Sequence, residues 1–179
     1  FDRALQRRAE ERVHLENDLR HAIANGDVHA WGQPIIDLET SEVVAVELLA
    51  RWQRADGYVP PDVFIPVAEE SGLVVDLGRQ MLDRAVDLLA SWRSTSFDNV
   101  RVSVNIGARH LRGHQLLTDL EAAVLRHDID RLLLVVELTE TQIADEPATA
   151  PAQLRAVRDL GIGLAIDDFG TGYSSLSSL

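Results

Sequence analysis

Short apolar runs alternate with amphipathic helical segments along most of the chain, and this alternation most constrains its fold. Five runs are candidate strands, at residues 28–36, 43–49, 100–106, 132–138 and 162–166. Several are nearly continuous in Val, Ile and Leu, which is typical of parallel strands covered on both faces. Helical periodicity marks the stretches between them, at 76–92, 115–126 and 147–160. The pattern therefore predicts an α/β fold with right-handed crossovers.

The first 25 residues predict one long amphipathic helix that ends at Asn25-Gly26. A packed surface helix and a connector from an upstream domain fit this pattern equally well. Pro60-Pro61 predicts a loop, and no stretch resembles an interdomain linker. Because five strands are fewer than the eight of a closed α/β barrel, and the chain has neither an initiator Met nor a signal-peptide pattern, we expect part of a longer protein.

Composition excludes several classes of function. The chain has 17 basic and 29 acidic residues, a net charge of -12, which argues against a long nucleic acid as partner. It contains no Cys, so disulfides and thiolate metal sites are excluded and a cytoplasmic location is expected. No apolar run approaches the roughly 20 residues of a membrane span, so we expect no membrane contact by this segment. An anchor elsewhere in a longer protein stays open.

Acids or an amide lie near the carboxyl ends of four predicted strands: Glu47, Asn105, Glu137, Asp167 and Asp168. In parallel α/β folds these ends meet at one rim, where ligands bind. Any one such acid is more simply interpreted as a capping or solvated residue, but several carboxylates brought together need a compensating cation.

All-oxygen donors favour Mg²⁺ or Mn²⁺, with Ca²⁺ as an inhibitory competitor. The adjacent pair Asp167-Asp168 could bridge two ions, an arrangement that cleaves phosphodiesters. Zinc is less favoured, because His110 and His114, although one turn apart, lack a third ligand in the sequence.

Six segments carry a resemblance to a known family. In chain order they are Gln33-Pro34-Ile35, Glu47 to Trp52 (ELLARW), Phe64 to Gly72 (FIPVAEESG), Ser103-Val104-Asn105, Glu137-Leu138-Thr139-Glu140 and Asp167 to Leu176 (DDFGTGYSSL). Together they resemble the EAL domain of bacterial cyclic di-GMP phosphodiesterases. The resemblance starts near residue 17, which suggests a linker helix over 1–16 and the first two thirds of an EAL domain over 17–179.

The resemblance implies a modified TIM (β/α)8 barrel, here incomplete, that hydrolyses cyclic di-GMP to the linear dinucleotide pGpG with two Mg²⁺ or Mn²⁺ ions. Glu47, Asn105, Glu137 and Asp167 would hold the first ion, and Asp167 with Asp168 the second. Glu140 resembles the glutamate that anchors the Gly-Thr-Gly loop of the family. The positions of Gln33, Leu49 and Arg51 match those that contact substrate.

Two departures from the family pattern matter. The signature tripeptide is Glu47-Leu48-Leu49, with Leu in place of Ala, which should shift packing without removing metal binding. The family's later Lys, catalytic Glu and substrate-side Gln would lie beyond Leu179, so we expect these 179 residues alone to be inactive.

Alternatives to a phosphodiesterase remain open at this point. One is a sensor that binds cyclic di-GMP without cleaving it, and another is a dimerisation module that forms a homodimer through its first helix. Arg51 could instead form a structural ion pair with a carboxylate. Residues 1–5 weakly resemble the link to an upstream diguanylate cyclase (GGDEF) domain.

Overall fold

The computed structural model describes residues 2–54, 57–112 and 115–167, which form the predicted α/β fold. The strands are β1 Val28–Ile36, β2 Val43–Arg54, β3 Gly57–Val59, β4 Arg101–Asn105, β5 Leu134–Thr139 and β6 Gly163–Asp167. The helices are α1 Asp2–Asn25, α2 Pro61–Ser71, α3 Val74–Trp92, α4 Gln115–Arg126, α5 Glu140–Asp145 and α6 Ala150–Asp159. Short 3₁₀ turns span Ala108–Leu111 and Arg131–Leu133.

The strands form one mostly parallel sheet in the order β1-β2-β4-β5-β6, with β3 paired to the end of β2. The prediction of parallel pairing is confirmed for β2, β4, β5 and β6. It is wrong for β1, which runs antiparallel to β2. The chain between them is too short for a crossover helix and instead turns at Asp37, whose carboxylate accepts the N–H groups of Glu39 and Thr40, both at 2.9 Å.

Two regions contain structure that the sequence analysis did not predict. β2 continues beyond Leu49 to Arg54, where the short sixth strand β3 pairs with it. Pro60-Pro61 does not mark a loop alone, because Pro61 is the first residue of α2. A proline is well tolerated there, since the first helical N–H has no partner within the helix. Helix α2 ends at Gly72, which adopts the left-handed φ of 85°.

The core lies between the sheet and helices that cover one of its faces. Leu48, Val104 and Val136 point from neighbouring strands towards α3, whose Leu77 and Leu82 are buried against them. Trp52 also belongs to the core, since it is 2% exposed and packs edge-to-face on Phe64, whereas Trp31 is 50% exposed.

Helix α1 confirms the predicted N-terminal helix but consists of two different halves. Leu19 and Ala22 in its second half are buried in the core, and Asp18 pairs with Arg54 of β2 at 3.0 Å. The side chains described between residues 6 and 14 are exposed, although Arg12 forms an ion pair with Glu70 of α2. Only the first half of α1 therefore projects from the body of the protein. Among the described residues no helix combines the length and apolar character that a membrane span requires.

Candidate active site

Strand register brings most of the predicted site residues onto one face of the sheet. Glu47 lies opposite Gln33 on β1 and Ser103 on β4. Asn105, two residues beyond Ser103, pairs with Glu137 on β5. Since register partners and alternate residues share a face, these side chains project to the same side.

Asp167 belongs to the same face, because it pairs with Thr139, two residues after Glu137. Asn105 and Asp167 are the last residues of their strands, as expected. Glu47 is not near the end of its strand, because β2 is prolonged by its pairing with β1 and β3. However, Leu48 is the last residue of β2 that pairs with β4. Glu47 therefore lies where the parallel part of β2 ends, level with the other site residues.

A hydrogen bond joins two of the predicted metal ligands directly. Nδ2 of Asn105 donates to Oε1 of Glu47 at 2.8 Å. The nitrogen of this amide therefore faces Glu47, and the bond links the ends of two neighbouring parallel segments.

The carboxyl of Glu137 has a raised pKa. Its side chain is part-buried, and burial raises the pKa of its carboxyl above the ordinary value. The negative charges of Glu47 and Asp167 raise this pKa further, while the Ser103 hydroxyl acts in the opposite direction. Glu47 and Asp167 are thus each near enough to repel the Glu137 carboxylate, and a bound cation would relieve that repulsion.

The side chains predicted to bind a metal carry the oxygen atoms that a hard cation prefers. Glu47, Asn105, Glu137 and Asp167 offer only carboxylate and amide oxygens, the ligands that Mg²⁺ and Mn²⁺ prefer. Within residues 2–54, 57–112 and 115–167, no three His, Asp or Glu side chains converge closely enough to hold a metal ion. Asp168 and the Gly-Thr-Gly segment lie outside the described residues.

Glu140 is held at the start of a short helix beside the site. It is the first residue of α5, which begins with a capping box: the Thr139 hydroxyl accepts the Gln142 N–H, and the Gln142 side chain accepts the Thr139 N–H at 2.9 Å. These bonds fix the backbone that carries Glu140. The loop that it is predicted to anchor lies outside the described residues.

The predicted substrate residues Leu49 and Arg51 line a cavity of about 300 Å³ at the same rim, together with Asn105. The Arg51 guanidinium donates to the Ala50 carbonyl at 3.1 Å and lies 6.0 Å from the ring centre of Trp31. Among the described residues it forms no ion pair, so they do not support a structural ion pair at Arg51. Gln33 is exposed on the same face, next to Glu47.

Glu69 was not among the site residues predicted from the sequence, yet the structure places it beside them. It lines the same cavity from α2, and burial raises the pKa of its carboxyl despite a hydrogen bond from the Ala108 N–H and the nearby charge of Arg109. Glu69 belongs to a segment that carried the family resemblance. Helical periodicity, however, does not distinguish a partly buried acid from an exposed one. Only the tertiary structure distinguishes it from its neighbour Glu70.

His110, one of the two histidines considered for zinc, is a buried core residue. It is fully buried, and its Nε2 lies 2.8 Å from Oδ2 of Asp119. Asp119 also accepts hydrogen bonds from Arg79 and Gln115. The other histidine of the proposed pair, His114, lies outside the described residues.

The sequence is similar to a known family of domains and to proteins that contain it. The sequence profile of the EAL domain matches residues 16–179. "Cyclic di-GMP phosphodiesterase PdeR" of Escherichia coli is 38% identical over the whole chain, and "Bifunctional diguanylate cyclase/cyclic di-GMP phosphodiesterase MucR" of Pseudomonas aeruginosa is 31% identical over 98% of it. The chain spans about a quarter of the length of these relatives, 27% and 26% respectively.

A solved structure matches the fold over most of the chain. The "PaMucR Phosphodiesterase, c-di-GMP complex" superposes with a TM-score of 0.84 at 31% sequence identity. The match covers 90% of this chain and 66% of that one.

Proposed function

The chain belongs to the EAL domain family, and on that premise we propose that its site binds cyclic di-GMP and hydrolyses one phosphodiester bond to give pGpG. The observation that carries this proposal is the shared face of Glu47, Asn105, Glu137 and Asp167, beside a cavity lined by Arg51. The names of PdeR and MucR support the same substrate and reaction.

Arg51, Leu49 and Gln33 recognise the substrate in this proposal. The Arg51 guanidinium supplies positive charge at a rim that is otherwise acidic, so it binds a phosphate of the dinucleotide. Leu49 gives the cavity an apolar wall next to Arg51. Gln33 offers an amide on the same face, opposite Glu47 in the strand register.

We propose that two Mg²⁺ or Mn²⁺ ions take part, with Ca²⁺ as an inhibitor. Glu47, Asn105, Glu137 and Asp167 would hold the first ion, and Asp167 with Asp168 the second. When bound, such ions polarise the phosphate and generate hydroxide from water. The raised pKa of Glu137 supports this assignment: burial is its main cause, and the nearby charges of Glu47 and Asp167 raise it further, a repulsion that a cation would relieve.

Catalysis in this proposal needs more of the barrel than the described sheet. Within the described residues, β6 pairs with β5 alone, and the family resemblance assigns a further Lys and Glu to later strands. We therefore propose that the 179-residue polypeptide does not turn over cyclic di-GMP by itself. Glu140 would act by anchoring the Gly-Thr-Gly loop over the site.

The longer protein is proposed to be a cytoplasmic or membrane-anchored signalling protein with a GGDEF domain before α1. The name of MucR, which combines both activities, supports the presence of both kinds of domain in one protein. Pairing of two copies through the exposed first half of α1 belongs to the same proposal.

The deciding experiment incubates cyclic di-GMP and Mn²⁺ with the 179-residue polypeptide and with one extended through the rest of the domain. Chromatography should show pGpG formed by the extended polypeptide and not by the shorter one. Binding without product in the extended protein would instead identify a sensor. An Asp167→Asn variant of the extended protein is the control, because it loses a ligand while changing little in size.

A further inference from the structure

The carboxylate of Glu69 lies against the turn that follows β4. A Cβ atom placed on Gly107 would come within 2.6 Å of Oε1 of Glu69 and 2.4 Å of Val74. The backbone of Gly107 has a φ of -72°, which any residue adopts, so lack of space and not backbone conformation excludes a side chain here. Glycine thus lets the Glu69 carboxylate reach the main chain.

Helix α2 contacts this turn through two adjacent residues. The Glu69 carboxylate lies close enough to Ala108, the first residue of the 3₁₀ turn, for the Ala108 N–H to lower its pKa against the larger effect of burial. The guanidinium of Arg109 donates to the Glu70 carbonyl at 2.9 Å. The end of α2 therefore holds residues 107–109 from one side.

From the other side the sheet holds the same segment. The N–H of Ile106 donates to the Glu137 carbonyl at 3.0 Å, and its side chain is buried. Asn105 thus stands immediately before a stretch fixed by β5 at Ile106 and by Glu69 at Ala108. Its own amide reaches Glu47 at 2.8 Å.

We propose that Glu69 is a positioning residue, which sets the backbone after Asn105 and thereby aims the Asn105 amide at Glu47 and at a bound divalent cation. The inference rests on the proposed function in that Asn105 is taken as a metal ligand. Glu69 itself need not touch the cation or the dinucleotide. Its role is to hold the end of β4 in one arrangement, as partners of metal ligands commonly do.

The test uses the polypeptide extended through the rest of the domain. Its variants are Glu69→Ala, Glu69→Gln and a matched control, Glu70→Gln. Calorimetry with Mn²⁺ should show about a tenfold loss of affinity for Glu69→Ala, the scale typical of residues that orient metal ligands. Glu69→Gln should retain most of the affinity, because its amide oxygen can still accept the Ala108 N–H. Glu70→Gln, which removes only the exposed partner of Arg12, should bind as the unaltered protein does.

A double-mutant cycle separates positioning from general destabilisation. If Glu69 acts through Asn105, Glu69→Ala should lower Mn²⁺ affinity no further in an Asn105→Ala background. An equal fold-loss in both backgrounds would overturn the proposal. Should Glu69→Ala fail to fold, Gly107→Ala displaces the same carboxylate and should give the same loss; unchanged affinity there also overturns it.

A readout without metal distinguishes this proposal from the proposed function. Side-chain amide NMR of the metal-free protein should show the Asn105 Nδ2 protons displaced from their unfolded-chain shifts by the bond to Glu47, and Glu69→Ala should move them back towards those shifts. If the unaltered protein bound no Mn²⁺, the metal assignment would fail, yet these resonances would still decide the role of Glu69. Unchanged resonances in Glu69→Ala would refute it.

Discussion

The side chain of Asn105 holds that of Glu47 through a 2.8 Å hydrogen bond between neighbouring strands. A neutral donor orients the carboxylate but does not neutralise it, unlike an Arg or Lys partner. The charge that Glu47 contributes to the rim is therefore preserved. Two residues far apart in sequence are thus set in mutual orientation before any cation binds.

We predict that Asn105→Ala weakens Mn²⁺ binding by about tenfold or more, since it removes an oxygen donor and leaves Glu47 without its orienting bond. Calorimetry on the metal-free protein measures this. Asn99→Ala is the matched control, because Asn99 is exposed and its side chain donates to the adjacent Asp98, away from the candidate site. Equal Mn²⁺ affinity in the two variants would remove Asn105 from the ligand set.

Arg51→Ala should weaken cyclic di-GMP binding by about tenfold, the scale of a lost charged hydrogen bond, while leaving Mn²⁺ affinity within about twofold. Arg51→Lys should restore binding only in part, because an ammonium group cannot form the two-pronged contact. Parallel titrations with dinucleotide and with Mn²⁺ check both. Arg84→Ala, on the exposed surface of α3, is the control. A matching loss of metal affinity would instead give Arg51 a structural role.

The two halves of α1 should differ in their effect on stability. Leu19→Ala is expected to lower the free energy of unfolding by about 2–5 kcal/mol, because Leu19 is 0% exposed and leaves a cavity. Val13→Ala should change it by less than about 0.5 kcal/mol, since Val13 is 58% exposed. Urea unfolding measures both values. A large cost at Val13 would indicate that the first half of α1 also packs against the protein.

Acid should destabilise the fold through His110. Burial lowers the pKa of His110 below its ordinary value, against the attraction of Asp119. Below about pH 6.5 the unfolded chain therefore takes up a proton that the folded protein resists, and stability falls as pH falls.

The corresponding measurement is the melting temperature between about pH 7.5 and about pH 5.5. His110→Gln should show a shallower fall than the unaltered protein, whatever its starting stability. An unchanged slope in His110→Gln would mean that other groups carry the acid sensitivity.

The sequence predicted the positions of several helices and strands better than the relative directions of the strands. Helix α4 has the predicted bounds, because its apolar spacing is regular and nothing interrupts it. The bounds of β1 were also predicted, but its direction depends on the turn at Asp37, which hydrophobic periodicity does not register. Pro61 misled for a similar reason, since proline marks both loops and helix starts.

The sequence predicted those members of the candidate site that are recognisable by residue type and position. It did not predict the features that depend on contacts in the folded protein. Carboxylates near strand ends identified Glu137 and Asp167, whose common face follows from strand register. The bond between Asn105 and Glu47 needs the register of β2 against β4, which the sequence alone does not specify. Glu69 needed more still, because its role arises from a helix and a turn that meet only in the folded protein.

The proposed substrate residues Leu49 and Arg51 lie beyond the point where β2 parts from β4, after Leu48, whereas the proposed metal ligands lie before it or on other strands. Glu137 and Asp167 belong to the parallel strands, whereas Leu49 and Arg51 belong to the antiparallel ribbon that β2 forms with β1 and β3. Substitutions on one part need not disturb the other. On the proposed roles, substitutions confined to the parallel strands would abolish cleavage and still leave an intact receptor for the dinucleotide.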